Sequence, residues 1–556
     1  MSNAAIMFDR EAYDAAGLKR PMGRNSAGEG FLRGFLQHAA VERFYLWNTR
    51  NRPQKELDRF VKRLGPPTRP VTWIDSPDRA ALADAGALYI PTPELQNEAW
   101  ARRAVGSTAY SLTGVTHTIA ETYILNQMAG LLTAPMEPWD ALVCTSLPAR
   151  RAVETQLEAV AGYLDERFGV TRMAPAQLVT IPLGVHTADF GPDPAARKAW
   201  REALAIPQDA LVALYFGRFS TSTKMNPAPM GLALQEAATR VGKPVYWVLF
   251  GGARRAAEDA EFRAAAAGFC PDVHLRFTGE LEPDAHGPLW AAADVFLSLS
   301  DNIQETFGLT PLEAMAAGLP CVVSDWDGYR DTIRHGVDGF RIRTTTPRPG
   351  LGADLAYRYA HGLSTYPDYA VTTAQFTAVD VEAAAAALAA LFADPELRQR
   401  MGREGRARAA EVYDWRVIIG QYQALWAELE RRRRAAPPQP PRSGGDNPWG
   451  LDPFRMFASY PTAALTHADT VRLRRAFAPG EVAELMARAS VRHGGPRLPT
   501  LAEVHAVIGA LAVDHEIAVG SLVATFPPER RAFVERGLVW LAKFGLVKFS
   551  GANPQA

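Results

Sequence analysis

Short apolar runs alternate with helix-period stretches through the first 340 or so residues of this chain. That alternation leaves little freedom of fold. Strand–helix repetition requires a mostly parallel sheet covered by helices on both faces. The first series of candidate strands is Ala5–Phe8, Phe44–Trp47, Val71–Ile74, Leu88–Ile90, Ala109–Leu112, Ala141–Thr145 and Leu178–Ile181. Helical patterns such as Lys55–Leu64, Glu121–Leu132 and Pro148–Tyr163 lie between them. A second series begins at Leu211, with strands Val212–Phe216, Val245–Phe250, Leu275–Thr278, Val295–Leu299 and Cys321–Ser324. Alanine-rich helices, Pro229–Val241 and Ala256–Ala267, separate some of them. A chain of 556 residues is too long for one core. Two doubly wound Rossmann-like domains are expected, with ligands held at the carboxyl ends of their strands.

The boundaries follow from composition. Residues 1–190 form the first domain and 191–434 the second, with the crossing near residues 186–208, after Ile181–Phe190 and around Pro192 and Pro194. Val381–Tyr413 reads as helical, and a strongly amphipathic last helix occupies about 413–434, ending in Arg431–Arg434. Residues 435–448 are rich in Pro, Gly and Ser and read as a linker. Residues 449–556 read as a small, mainly helical module. Its stripes are Val482, Leu485 and Met486, then Val504, Val507 and Ile508, then Phe533, Leu538 and Leu541. A terminal strand follows at Leu546–Phe549, so a winged-helix-like domain fits.

Charge and cysteines narrow the function classes. Lys+Arg and Asp+Glu are both 60, so net charge is zero, which disfavours a nucleic-acid partner. Cys144, Cys270 and Cys321 are scattered, without a CxxC or Cys/His cluster, so neither a zinc site nor a disulfide framework is expected. No signal peptide or membrane-length apolar run is visible, and a cytoplasmic protein is expected. A peripheral membrane or protein contact through the C-terminal region is the remaining partner expectation.

The densest chemistry lies in Leu297–Gly318, LSLSDNIQETFGLTPLEAMAAG. A buried-type strand ends, a polar turn follows, and a helix begins near Thr310–Pro311, where proline costs no hydrogen bond. Glu305 and Glu313 flank that helix start. Phe307, Gly308 and Leu309 between them offer amides at a helix N-terminus, a favourable place for phosphate. Carboxylates that accept from hydroxyls, beside amides that donate to phosphate, describe a sugar-nucleotide pocket. The same residues also describe an ordinary strand-to-helix turn with two solvated glutamates. Arg218 and Lys224, in the loop after Val212–Phe216, suit a diphosphate, or are solvated surface cations. Gly28 and Gly30, after a long loop Asp9–Ala27, allow close approach to a phosphate, or serve only a turn. His117, just past a strand end, faces the cleft as a sugar or carbonyl partner, or is structural.

Taken in order, these segments resemble a known family. Gly217-Arg218…Lys224, Gly279, Leu289–Ser298 and Glu305–Pro320 resemble retaining glycosyltransferases of the GT-B fold, family 4 (glycosyl transferases group 1). Ile181–Phe190 resembles that family's interdomain segment, with His186 where Asp is usual. Thr116-His117-Thr118 resembles its N-terminal histidine site, and Tyr413-Asp414-Trp415 its entry to the last helix, which crosses back to the first domain. The resemblance spans roughly residues 4–430 and leaves 449–556 as an extra domain. Two departures stand out. Arg218 and Lys224 are one residue further apart than in many relatives, and the Asp9–Ala27 loop is longer than the usual hairpin.

The resemblance implies two Rossmann-like domains facing a cleft, acceptor domain first and donor domain second. It implies a catalytic set of Glu305, His117, Arg218 and Lys224. Glu305 would contact the donor sugar, Glu313 the ribose, and Arg218 and Lys224 the diphosphate with the Phe307, Gly308 and Leu309 amides. Gly28 and Gly30 would approach that diphosphate from the other domain. It implies hexosyl transfer with retention from a nucleoside-diphosphate sugar, in glycan or polysaccharide biosynthesis, with no metal and no cofactor beyond the co-substrate. The acceptor, a glycan, lipid or protein, is left open. Two other readings stay open: a sugar-nucleotide-binding scaffold without transfer activity, and a GT-B epimerase or inverting transferase.

Overall fold

The computed structural model describes residues 3–15, 23–173, 176–253, 255–278, 288–442, 447–478 and 480–550. Gly279, residues 16–22 of the expected loop and residues 443–446 of the expected linker lie outside these. The chain divides into two compact units, Met1–Gly444 and Gly445–Ala556.

The first unit contains two parallel sheets. Strands β1 (Ala5–Phe8), β2 (Phe44–Asn48), β3 (Val71–Asp75), β4 (Ala87–Ile90), β5 (Ser111–Val115), β6 (Ala141–Cys144) and β7 (Gln177–Thr180) build the first, in the order β3-β2-β1-β4-β5-β6-β7. Strands β8 (Leu211–Phe216), β9 (Val245–Phe250), β10 (His274–Phe277), β11 (Val295–Ser298), β12 (Cys321–Ser324) and β13 (Gly339–Ile342) build the second, in the order β10-β9-β8-β11-β12-β13. Strand order reverses beside β1 in one sheet and beside β8 in the other, so each sheet has a switch-point crevice. Two doubly wound domains facing a cleft constitute the GT-B fold.

The helices that position the cleft are α1 (Gly23–His38), α2 (Thr122–Thr133), α3 (Leu147–Phe168), α4 (Leu309–Ala316), α5 (Ala353–Ala360), α6 (Tyr366–Ala374) and α7 (Trp415–Ala435). In α7, Ile418, Ile419, Tyr422, Leu425, Trp426 and Leu429 recur at helical spacing and are buried. They share one core with Ile6, Phe31, Phe35 and Leu46 of the first domain. The chain therefore crosses between domains twice, and the two crossings are tied. Val185 N donates to Tyr413 O at 2.8 Å, and Trp415 N to Val185 O at 3.1 Å.

Buried ion pairs pin the strand starts. Arg102 and Asp140 are fully buried and bidentate, at 2.6 and 2.7 Å, and Asp140 also accepts from Leu112 N at the head of β5. Asp294, just before β11, accepts from Arg197, from the buried Arg201 and from Val212 N of β8. The neighbouring strands β8 and β11 are thus held at their starts, which fixes where their C-terminal loops emerge.

Several expectations change. Asp9–Ala27 is not one long loop: a helical turn occupies Arg10–Tyr13, and α1 is already helical at Gly23. The stretch GRNSAGEG has no apolar period, so its helix is set by packing, with Asn25 buried and donating to Glu11 O. The fifth strand begins at Ser111 rather than Ala109, in register with Ala87. The Val381–Tyr413 helix is broken into Val381–Ala393 and Pro395–Arg408. Pro395 cannot continue a helix, and Asp394 caps the second by accepting from Glu396 N and Leu397 N. The helices α5 and α6 carry no sequence-level expectation.

The second unit packs Val471, Val504, Val507, Leu538 and Leu541 into its own core. Its longer helices are Leu501–Ala510 and Pro528–Lys543. Thr500 and Glu503 form a capping box, and Arg530 adds a bidentate bond to Glu503. Besides the expected C-terminal strand, Val547–Ser550, the antiparallel sheet contains Thr470–Leu473 at its centre and Ile517–Ala518. A two-residue strand leaves no period to read in sequence.

Candidate active site

The cleft of the first unit has a volume of about 2080 Å³. The loops that follow β8 and β11 supply one wall. These strands are neighbours, pairing Val295 with Ala213 and Phe296 with Leu214, so loops far apart in sequence emerge side by side. Asn302 Nδ2 ties them by donating to Ser222 O at 3.0 Å.

On that wall Lys224 Nζ meets Glu305 Oε2 at 2.7 Å. Burial works to raise the Glu305 carboxyl. Lys224 and the amides of Phe307 and Thr306 outweigh it and hold the group below the ordinary carboxylate range. Glu313, on the second turn of α4, experiences mainly burial, which pushes it up to about 7 against the opposing pull of Lys224. The two glutamates are therefore in opposite states near neutrality, Glu305 ionised and Glu313 titrating. Arg218 lines the same wall, with Nη1 3.4 Å from Thr223 Oγ1 and its carbonyl accepting from Tyr215 Oη at 3.0 Å.

The helix start between the glutamates is shaped by one glycine. Gly308 caps α4 at φ +88°, a conformation that suits glycine. A methyl group there would overlap the Tyr329 ring. Phe307 turns its side chain inward, 1% exposed, so its backbone rather than its ring is offered to the cleft. Tyr329 is itself fixed by Ser298 Oγ, 3.0 Å from its hydroxyl.

The opposite wall comes from the first domain. His117 lies in the loop after β5, and its Nε2–H donates to Pro91 O at 3.0 Å. Burial lowers its pKa to about 4, so the ring is neutral at physiological pH. Gly23, Arg24, Ser26 and Ala27 reach the cleft from the start of α1. Gly28 and Gly30 do not line it. A methyl at Gly28 would overlap Ala12 O, and one at Gly30 would lie 2.7 Å from Trp415 Nε1. Gly34 and Gly184 approach the same indole, at 2.8 and 2.6 Å from its nearest atoms. Gly30 and Gly34 of α1 thus admit Trp415 of α7, and Gly28 admits the Ala12 carbonyl, so the contact the structure shows at Gly28 and Gly30, where a diphosphate is expected, is close packing. His186 completes this corner, its Nε2–H donating to Gly30 O at 3.1 Å.

Several residues at the cleft carried no earlier expectation. Thr145 Oγ1 and Ser146 Oγ, at the end of β6, donate to Thr306 O at 3.2 and 2.9 Å and so hold the Glu305 loop from the other domain. Leu147 N, at the start of α3, donates to Asp331 Oδ2 at 2.6 Å. Burial, with the Glu305 charge beside it, pushes the Asp327 carboxyl well up. Phe216 stacks between Phe250 and Trp290, with centroids 4.4 and 5.0 Å away, and all three rings line the cleft. The sequence signal for Thr145 and Ser146 was their place at a strand end. For the aromatic stack there was none beyond strand composition. Among the described residues no group of three His, Cys, Asp or Glu side chains is placed to hold a metal ion, and no helix is long and apolar enough to cross a membrane.

Residues 196–348, which contain Arg218, Lys224, Glu305 and Glu313, match the family described as Glycosyl transferases group 1. The chain is 30% identical over 183 residues to D-inositol 3-phosphate glycosyltransferase of Acidothermus cellulolyticus, covering 32% of this chain and 40% of that one. It is 26% identical over 326 residues to the protein of the same name in Streptomyces griseus, covering 57% and 58%. It is 29% identical over 170 residues to phosphatidyl-myo-inositol mannosyltransferase of Mycobacterium leprae, covering 30% and 35%. The chain thus spans between about a third and three fifths of the length of these relatives. Among solved structures, Anabaena HepE in complex with UDP aligns at a TM-score of 0.49 and 16% identity, over 77% of this chain and all of that one. Within the group 1 segment, the sequence alone brought out the charged residues of the donor wall. The stack of Phe216, Phe250 and Trp290 in that segment emerges only from the fold.

Proposed function

We propose that this protein transfers a hexose-type sugar from a nucleoside-diphosphate sugar to an acceptor hydroxyl, with retention of anomeric configuration and without a metal, in glycan biosynthesis. The observation that carries the reading is the Lys224–Glu305 pair at 2.7 Å, set at the switch point between β8 and β11 beside Arg218 and the start of α4. The group 1 match and the glycosyltransferase names of the relatives support it.

The chemistry follows from where charge develops. As the anomeric C–O bond to the diphosphate breaks, negative charge grows on phosphate oxygens and positive charge on the sugar. Arg218, Lys224 and the amides from Phe307 to Leu309 stabilise the first, each donor contributing about 2–4 kcal/mol in a water-poor site. Glu305, held ionised, stabilises the second. The acceptor oxygen bonds to the anomeric carbon from the leaving-group face and passes its proton to a phosphate oxygen. Neutral His117, with its Nε2–H given to Pro91 O, accepts at Nδ1 from a sugar hydroxyl without adding a charge. Glu313 accepts from the ribose hydroxyls, and the Phe216–Phe250–Trp290 stack lies at the same wall.

The test is product configuration by NMR, using UDP-, GDP- and ADP-linked hexoses as donors. Retention is expected, and an inverted anomer would overturn the retaining reading. A thermal-shift screen comes first: a donor at about 100 times its Kd stabilises the fold by about 2.7 kcal/mol. A wild-type chain that binds donor yet releases no nucleotide with any acceptor would favour the scaffold reading.

A further inference from the structure

Helices α5 and α6 lie outside the family segment 196–348 and outside both parallel sheets. They nevertheless reach the first domain. Tyr359 Oη accepts from Thr122 N at 3.1 Å, at the first turn of α2. The N-cap of α2, Glu121, makes no side-chain capping bond, so Tyr359 provides an acceptor that this helix end otherwise lacks. Tyr359 stacks on Tyr369 with centroids 4.7 Å apart and planes within 10°, and Tyr366 packs against it at 6.1 Å. This aromatic cluster presents Tyr366 and Pro367 to the cleft, where Glu121 and Tyr123 of the first domain also lie.

The polar groups here are arranged for hydroxyls. Tyr366 Oη is buried and has no hydrogen-bond partner. Tyr366, Glu121 and Arg218 all line the cleft, and burial, then the Glu121 charge, raise the phenol's pKa while Arg218 lowers it. The Tyr123 side chain is 57% exposed and lines the cleft together with Glu94. Carboxylate oxygens accept hydrogen bonds, so Glu94 and Glu121 match hydroxyl donors. Aromatic rings beside them match the C–H faces of a sugar. On this side of the cleft the carboxylates Glu94 and Glu121 outnumber the one cation, Arg24, which disfavours an anionic acceptor.

We propose that α5–α6 and the Glu121–Tyr123 turn build the acceptor subsite, and that its acceptor is a neutral polyhydroxylated molecule, a sugar or polyol, rather than a phosphorylated one. The proposal rests on the transferase reading. In the step it serves, the acceptor oxygen forms the new bond to the anomeric carbon, the bond to diphosphate breaks, and the hydroxyl proton leaves on the phosphate. Tyr366 and Glu121 hold the acceptor and take no part in bond breaking.

The full chain is tested by saturation-transfer NMR in the presence of whichever nucleoside diphosphate raises its Tm. The probes are glucose, maltose and myo-inositol, and glucose 6-phosphate as the anionic counterpart. At least one neutral probe is expected to bind, with its Kd weakened about tenfold or more in Tyr366→Ala and Glu121→Gln while the nucleotide Kd stays within about twofold. Tyr366→Phe, which keeps the ring, separates loss of the hydroxyl from misfolding. Tighter binding of glucose 6-phosphate than of every neutral probe overturns the proposal. So does the failure of all neutral probes, or unchanged neutral binding in Tyr366→Ala and Glu121→Gln. If no nucleoside diphosphate raises the Tm, the transferase reading itself fails and this proposal fails with it.

Discussion

The two walls of the cleft are built in different ways. The donor wall draws Arg218, Lys224, Glu305 and Glu313 from two short segments, 217–224 and 305–313, each leaving the carboxyl end of one of two adjacent strands. The acceptor wall gathers residues 23–27, 92–94, 117–124 and 366–367, the last from a helical pair that belongs to the other domain. A local wall tolerates little change in its own loop. A gathered wall depends on how distant elements pack.

The largest expected effect tests the donor wall directly. Glu305→Gln and Lys224→Ala are each expected to lower kcat by about 10²–10³ with the fold retained by circular dichroism. In Lys224→Ala the cation that holds Glu305 ionised is gone, so the acid limb of its pH–rate profile moves to higher pH. A residual profile identical to wild type would break the coupling between the two groups.

Glycine substitutions sharpen the contrast next. Gly308→Ala forces an unfavourable φ and an overlap with Tyr329, and is expected to cost about 2–4 kcal/mol of stability and most donor affinity. Gly30→Ala crowds Trp415 and is expected to cost about 1–3 kcal/mol, with nucleotide affinity unchanged at a temperature where the protein is folded. Loss of nucleotide binding in a folded Gly30→Ala protein would restore that glycine to the phosphate site.

The two walls also titrate in opposite senses. The folded pKa of Glu313, about 7, lies above its ordinary 4.5, so its contribution is fully present below pH 4.5 and is lost as pH rises through 7. Glu313→Gln is then expected to gain about 1–2 kcal/mol over wild type at pH 8, discounted for partial exposure. The folded pKa of His117, about 4, lies below its ordinary 6.5, so its contribution is present above pH 6.5 and is lost as pH falls through 4. Denaturant unfolding of His117→Gln between pH 4 and 6.5 should show a flatter acid limb by a similar amount. The same slope in wild type and variant would remove His117 from the acceptor wall's electrostatics. Smallest of all is the effect of a chelator: on the proposal that Arg218 and Lys224 neutralise the diphosphate, excess EDTA is expected to leave the transfer rate unchanged.

The legibility of each part follows the same division. Apolar period and turn residues are local properties, and they placed β9 and β12 at the residues observed. They also brought out Glu305, Glu313, Arg218 and Lys224, because strand-end loops in a doubly wound fold carry their ligands within a few residues. At Gly28 and Gly30, where a phosphate is expected, the structure shows the Ala12 carbonyl and the Trp415 indole, because a glycine that admits a protein group and one that admits a phosphate look the same in sequence. Helix α1 was missed at its start because packing, not periodicity, holds it. Tyr366, Thr145 and Ser146 gave little local signal, since Thr145 and Ser146 bond Thr306 and Asp327 of the other domain and Tyr366 meets Glu121 only at the cleft.

By itself, then, the sequence determined the two parallel sheets and the charged loop of the donor wall, because both arise from short-range pattern. Tertiary structure alone decided that Lys224 reaches Glu305, that Trp415 fills the glycine corner, and that α5–α6 closes the acceptor wall. Each of those contacts joins residues too far apart along the chain for any local period to record.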